Sequence, residues 1–472
     1  MSLAVLARRL RAGELSPREA VASCLARIEE VDPLLNAFIS VRADEALAEA
    51  EELERAVERG PLWGLPVAVK DVIDVAGSPT TAASKILAGN VAVRDADAVA
   101  ALRTAGAIVL GKLNTHEFAF GATTTSPHFG PARNPWDPER ICGGSSGGSG
   151  AAAAADLVPG SLGTDTAGSI RIPACFCGVT GLRPSSGRVS NRGVVPVSWT
   201  FDTVGPIARS AEDCALLLDA LAPAAAAAAA LDGGVRGLRI GVVGALFEEG
   251  VDADVAEAAG AAVAELEALG AVLERVEVPL RADAGTIKQA IMLVEAAAAH
   301  LPRLRTQLED YGPDVRSRLL AGLLLPSTTY VTGSRARRLY LAGVAELFER
   351  VDLLAAPAMP VTPPRIGEET VTIAGREVPY RLSLIPFNSP WSLAGLPVAS
   401  IPCGLVRGLP VGLALAGRPF EEAAVLRAAH AFQQSTGWHE LRPPATVPPR
   451  PAGESPVSTL RYVPRSRADR GD

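Results

Sequence analysis

Aromatic residues are scarce in this chain: Phe, Trp and Tyr make up 4% of 472 residues. A core must therefore be built mainly from Ala, Val and Leu, and a hydrophobic content of 48% supplies enough of them. Excess positive charge is also missing. The formal net charge is -7, which speaks against a nucleic-acid-binding surface spread over the whole molecule. Long apolar runs are absent as well. The alanine-rich stretches at 151–155 and 223–230 are too short to cross a bilayer. The opening "MSLAVLARRLRAGELSPREAV" is interrupted by arginines, unlike a secretory signal. The six cysteines form no C-x-x-C pair and no metal-ligand spacing. They read as buried thiols in a reducing compartment; Cys175 and Cys177 would face the same way on a strand and pack there. The expectation is a soluble, cytoplasmic protein with no metal site.

What is present reads as alternating helix and strand. Ser16-Pro17 opens a helix with a serine N-cap and proline at the first helical position. "ADEALAEAEELERAVERG" has helical period up to Gly60, and "LPVAVKDVIDVAG" reads as a strand. "DADAVAALRTAG" is a helix and "AIVLGKL" a buried strand. Later, "VRGLRIGVVG", "VDLLAAPAMPVTPP", "LPVASIPCG" and "LPVGLALAG" give further strands. This alternation predicts an α/β sheet. The segment 221–234, "LAPAAAAAAALDGG", reads as a surface connector. One domain is expected over 1–440, followed by a Pro-rich, disordered tail over 441–472.

The stretch "GGSSGGSG" at 143–150, running into alanines, asks for an explanation. A flexible linker fits poorly, because more small residues follow rather than a new domain. A phosphate-binding loop needs a Gly-Lys-Ser/Thr ending that is not there. Gly143-x-Ser145-x-Gly147 matches the nucleophile elbow, but the preceding "NPWDPERIC" reads as loop, and His300, His430 and His439 all fall on helix-like stretches. A fourth reading joins Lys70 in "VAVKDV", Ser145, and Ser169 in "DTAGSIRIP". A lysine among apolar neighbours has its charged form disfavoured, so a neutral amine could accept a proton from serine. The alternative is a structural Lys70 paired with Asp71 or Asp74.

Together these pieces resemble the amidase signature family. The stretch "GGSSGGSGAAAAADLVPGSLGTDTAGSIRIPACFCGVTGLRPSSGRVS" carries the resemblance, supported by "LWGLPVAVKDVIDVAG", "GKLNTHEFAFGATT" and "SLAGLPVASIPCG" over about residues 1–440. The resemblance implies an α/β fold with a large mixed twisted sheet covered by helices on both faces, in a single domain. It implies a cis peptide bond before Ser145 and no cofactor or metal. It implies Ser169 as nucleophile, Ser145 as a bridge bonded to both Ser169 and Lys70, and Lys70 as the base. Backbone N–H groups of Thr166, Ala167, Gly168 and Ser169 would form the oxyanion hole. Ala167 stands where many members have glycine, and a positive φ there would strain it. Ser146, Asp165 and Arg171 would support the loop. Phe120, Gly121 and Thr123 resemble the segment lining the acyl pocket, and His116 would be structural.

The implied activity is hydrolysis of a small-molecule carboxamide to carboxylate and ammonia or amine through an acyl-enzyme. The hairpin-like "TVTIAGREVPYR" before "SLAGLP" resembles stand-alone bacterial amidases. The alternative is the glutaminase (A) component of a tRNA-dependent amidotransferase, with B- and C-type partner subunits. A further alternative is an inert binding scaffold. No direct nucleic-acid or membrane partner is expected, and a homodimer stays open.

Overall fold

The computed structural model describes residues 2–444, so nearly all of the expected tail lies outside the described residues. Eleven strands form one mixed sheet. In chain order they are β1 (Phe38–Val41), β2 (Pro66–Lys70), β3 (Ile108–Leu113), β4 (Gly160–Thr164), β5 (Thr180–Arg183), β6 (Val204–Ala208), β7 (Arg239–Val243), β8 (Val272–Val276), β9 (Leu353–Pro357), β10 (Val398–Val406) and β11 (Leu409–Gly417). Across the sheet they run β1-β3-β2-β4-β6-β5-β10-β11-β9-β7-β8. β2 lies parallel to both β3 and β4, and β7 parallel to both β8 and β9; the remaining pairs are antiparallel.

Strand alternation splits the buried side chains between two faces. Val67 and Val69 join one apolar cluster, while Ala68 between them joins the other. The first cluster is backed by helices including Leu3–Arg11, Ala211–Leu221 and Glu422–Thr436; the second by Pro17–Leu35, Ala43–Arg55 and Gly147–Ala154. The expected Ser16 cap is present as a full capping box with Glu19. Trp391, Phe118, Phe176, Phe201, Phe387 and Phe432 are fully buried, so many of the few aromatics are spent on the core.

Several local expectations change. The strand expected over "LPVAVKDVIDVAG" stops at Lys70, because the N–H groups of Val72 and Ile73 both turn back to the Lys70 carbonyl. Helix Ala43–Arg55 ends short of Gly60. Cys175 and Cys177 lie on the helix Arg171–Cys177 rather than a strand; all six cysteines are free and buried. The loop expected before Cys142 contains a short strand, Asp137–Ile141, paired with Arg133–Asn134. The connector at 221–234 folds into two 3₁₀ turns, with Ala227 and Leu231 buried beneath it. No helix among the described residues is long and apolar enough to cross a membrane.

Candidate active site

The parallel register of β2 and β4, with Ala68 opposite Ser161 and Val69 opposite Leu162, brings Lys70 and Thr164 to the same edge of the sheet. Lys70 is fully buried and donates to Ser145 Oγ at 2.7 Å and to Thr164 Oγ1 at 2.7 Å. The structural pairing considered for Lys70 goes elsewhere: Asp71 pairs with Lys112 at 2.9 Å. Burial pulls the Lys70 ammonium down to about 7, against the pull of the Asp165 and Asp202 charges. Thr164 was not singled out in the sequence; its place at the end of β4, beside the end of β2, was the available signal.

The bond between Gly144 and Ser145 is cis. A Cβ on Gly144 would lie 2.7 Å from the backbone nitrogen of Thr123, so only glycine lets these two segments cross. The glycine density of this stretch thus reflects close backbone packing rather than flexibility. The Ser145 carbonyl accepts from the His116 N–H at 3.1 Å and the Thr115 hydroxyl at 2.9 Å. Ser146 stitches the loop to its neighbours. Its hydroxyl donates to the Thr164 carbonyl at 3.2 Å and accepts the Thr164 N–H at 3.2 Å, while its own N–H donates to the Ser169 carbonyl at 3.2 Å.

Ser169 lines a cavity of about 470 Å³ together with Phe120, Gly121, Gly144, Thr166 and Ala167. Its Oγ makes no hydrogen bond among the described residues, so the implied link from Ser145 to Ser169 is not formed in this structure. The expected oxyanion donors divide. The Gly168 N–H is already donated to Asp165 Oδ1 at 2.9 Å, which removes it from the set. The N–H groups of Thr166, Ala167 and Ser169 have no acceptor among the described residues. Gly168, not Ala167, takes the positive φ, at 113°, and a Cβ there would collide with Asn388 Oδ1. Alanine at 167 is therefore unstrained.

Asp165 is fully buried and holds the loop around Ser169. Oδ1 also accepts from Arg171 Nη2 at 3.0 Å and Arg183 Nη1 at 3.2 Å; Oδ2 accepts from Arg171 Nε at 3.0 Å and the Ile170 N–H at 3.2 Å. Burial alone would raise this carboxyl, but Arg171 and Arg183 outweigh it and hold it well below the usual carboxylate range. Arg183, at the end of β5, is the partner the sequence reading missed. Thr166 Oγ1 donates to Asp202 Oδ1 at 2.6 Å, anchoring the next residue of the loop.

Thr123 departs from its expected place. It lines a neighbouring cavity with His116 and Asp314, and its hydroxyl sits 3.2 Å from His116 Nδ1. His116 Nε2 lies 3.1 Å from Asp314 Oδ2, so both ring nitrogens are engaged away from Ser169. Among the described residues, no group of His, Cys, Asp or Glu could hold a metal ion.

A buried lysine is bonded to one serine, beside a second serine that faces a cavity, and comparisons with known proteins place the chain among enzymes that act on amide C–N bonds. The chain belongs to the amidase family: the family's profile, described as Amidase, matches residues 19–426. It is 40% identical to the A component of the glutamyl-tRNA(Gln) amidotransferase of Geobacter metallireducens, over 91% of this chain and 96% of that one. A solved chain from a vestigial protein complex, described as revealing the origins of an s-triazine catabolic enzyme, superposes with a TM-score of 0.88 at 38% identity, covering 93% of this chain and 99% of that one. The A component of the glutamyl-tRNA(Gln) amidotransferase of Thermotoga maritima gives a TM-score of 0.77 at 34% identity, over 92% and 94% of the two chains.

Proposed function

We propose that this chain hydrolyses a carboxamide through Ser169, Ser145 and Lys70. The observation that carries the reading is the 2.7 Å contact between Lys70 Nζ and Ser145 Oγ, buried next to a serine that opens on a cavity. Ser169 Oγ attacks the amide carbonyl carbon. Its proton passes to Ser145 Oγ, whose own proton passes to the neutral Lys70 amine. The oxygen that gains charge is met by the unengaged N–H groups of Thr166, Ala167 and Ser169, in a setting where such donors are worth about 3 kcal/mol. The C–N bond then breaks, the relay returns a proton to the departing nitrogen, and water repeats the sequence on the acyl-enzyme. Substrate binding closes the Ser145–Ser169 link, as catalytic hydrogen bonds commonly tighten once substrate is in place.

Lys70 works only when unprotonated, so activity falls on the acid side. With its proton leaving at about pH 7 in the free protein, kcat/KM drops toward a limit of roughly tenfold per pH unit below that point. A pH–rate profile checks this; a rate independent of pH between 5 and 7 goes against Lys70 as the base.

For the setting of this chemistry, the curated relatives weigh toward the A component of an amidotransferase, and against the stand-alone amidase that the hairpin suggested. In that role the chain frees ammonia from glutamine for a partner to use. A stand-alone role keeps one specific observation. The hairpin Thr370–Ile373/Arg376–Pro379 leads directly into the cavity wall at Pro379, Arg381 and Leu382, and among the described residues no Asp or Glu lines that cavity to receive the ammonium of glutamine. Ammonia release from glutamine and a panel of simple carboxamides, with and without a B-type partner, separates the two. Glutamine turnover that needs the partner supports the amidotransferase reading; turnover of simple amides by the chain alone supports the other.

A further inference from the structure

Among the described residues, three cations and no carboxylate line the cavity that Ser169 opens on. Two of the cations are engaged. Arg318 donates to Asp314 Oδ2 at 2.6 Å and lies over the Phe120 ring, 4.4 Å from its centroid; Arg381 donates to Asp314 Oδ1. The third, Lys288, is different. It sits within the long helix Arg281–Leu304, is 2% exposed, and has no hydrogen-bond or ion-pair partner among the described residues. A buried ammonium with no partner is costly to keep. Burial pushes Lys288 down to about 7, with Arg171 and Arg183 adding to the shift and Asp165 opposing it. Met292, Leu293 and Ile385 line the same cavity, and an apolar residue of similar length at 288 would avoid that cost. No bond within the described residues occupies this amine, and Lys288 lines the same cavity as Ser169.

We infer that Lys288 is the recognition group for a carboxylate on the acyl part of the substrate, so that the enzyme prefers carboxamides that are also carboxylates. The inference rests on Ser169 being the reacting serine. Bound substrate supplies the anion that Lys288 lacks, and the amine is then held in its charged form. The cavity offers no acidic partner for a second, cationic substituent. A monoamide of a dicarboxylic acid, such as glutaramate, therefore fits better than glutamine, and much better than the uncharged valeramide.

Two measurements test this, with Lys288→Met and Lys288→Gln as variants of matching length. In the wild type, kcat/KM for glutaramate exceeds that for valeramide by roughly 10- to 100-fold, the range of a charge-assisted hydrogen bond. In Lys288→Met the ratio falls to about one, and Lys288→Gln, which keeps a donor, lies between. The second measurement needs no turnover: calorimetric binding of glutarate to the Ser169→Ala protein, with and without Lys288→Met. Glutarate binding that disappears with Lys288→Met supports the inference even if no amide is hydrolysed, in which case the catalytic reading alone fails. Equal turnover of glutaramate and valeramide, or glutarate binding unchanged by Lys288→Met, overturns it.

Discussion

Ser169→Ala should abolish ammonia release from any amide the wild type hydrolyses, with kcat lower by about 10⁴-fold or more. Removing the attacking oxygen leaves only the backbone donors and the cavity to act on substrate, and such a remnant is slow. Ser145→Ala and Lys70→Ala should come close to the same floor. In the proposed relay the three groups form one proton path, so losing any of them should stop it, and their losses should not add. The fully buried Lys70 amine is held by two hydroxyls, from Ser145 and Thr164. Thr164→Val should therefore cost less than Ser145→Ala, because Thr164 steadies the amine without carrying the proton. Ammonia assays on the four variants give this ranking. A Ser145→Ala protein with near wild-type kcat would break the relay.

Asp165→Asn should cost about 3–5 kcal/mol of stability, the usual result of removing one member of a buried ion pair. The side chain pairs with both Arg171 and Arg183, which are themselves fully buried. An amide in its place carries no charge, and it can accept at only one of its two ends. Either the Gly168 N–H or the Ile170 N–H then faces an NH₂ group. Urea unfolding of the two proteins measures the difference, and a change below about 1 kcal/mol would contradict the role given to this ion pair. The same pairing has a pH signature. Asp165 keeps its charge in the fold well below the ordinary carboxylate range, so its contribution is complete above that range and is lost as the pH falls through it toward the folded value.

Much of the candidate site was legible in the sequence because the residues proposed for it stand in runs of small residues. Ser145, Ser146, Ser169 and Asp165 stand within one stretch, and Lys70 closes a strand of alternating apolar residues. The groups that were missed are joined by the fold alone. Arg183 is separated from Asp165 by a helix and meets it only because β5 and β4 flank β6. Thr123 shares a segment with Phe120 and Gly121, yet its hydroxyl meets His116 Nδ1 and Thr125 Oγ1, and it lines the other cavity. Gly168 looked like one of four equal donors, and a carboxylate three residues back claims it. Lys288 was not singled out in the sequence. One signal was available: only four of the 45 Lys and Arg residues are lysines, and Lys70, Lys112 and Lys288 are all buried. Arginine stays charged throughout the working pH range, so a site that needs an amine able to lose its proton must use lysine.

The central claim is that Ser169 forms the covalent bond to substrate. Mass spectrometry of the protein after exposure to a fluorophosphonate tests it most directly. One adduct is expected, on the peptide carrying Ser169, absent from Ser169→Ala and much slower to form in Lys70→Ala. An adduct on Ser145 instead, or none at all on a preparation that releases ammonia from an amide, would contradict it.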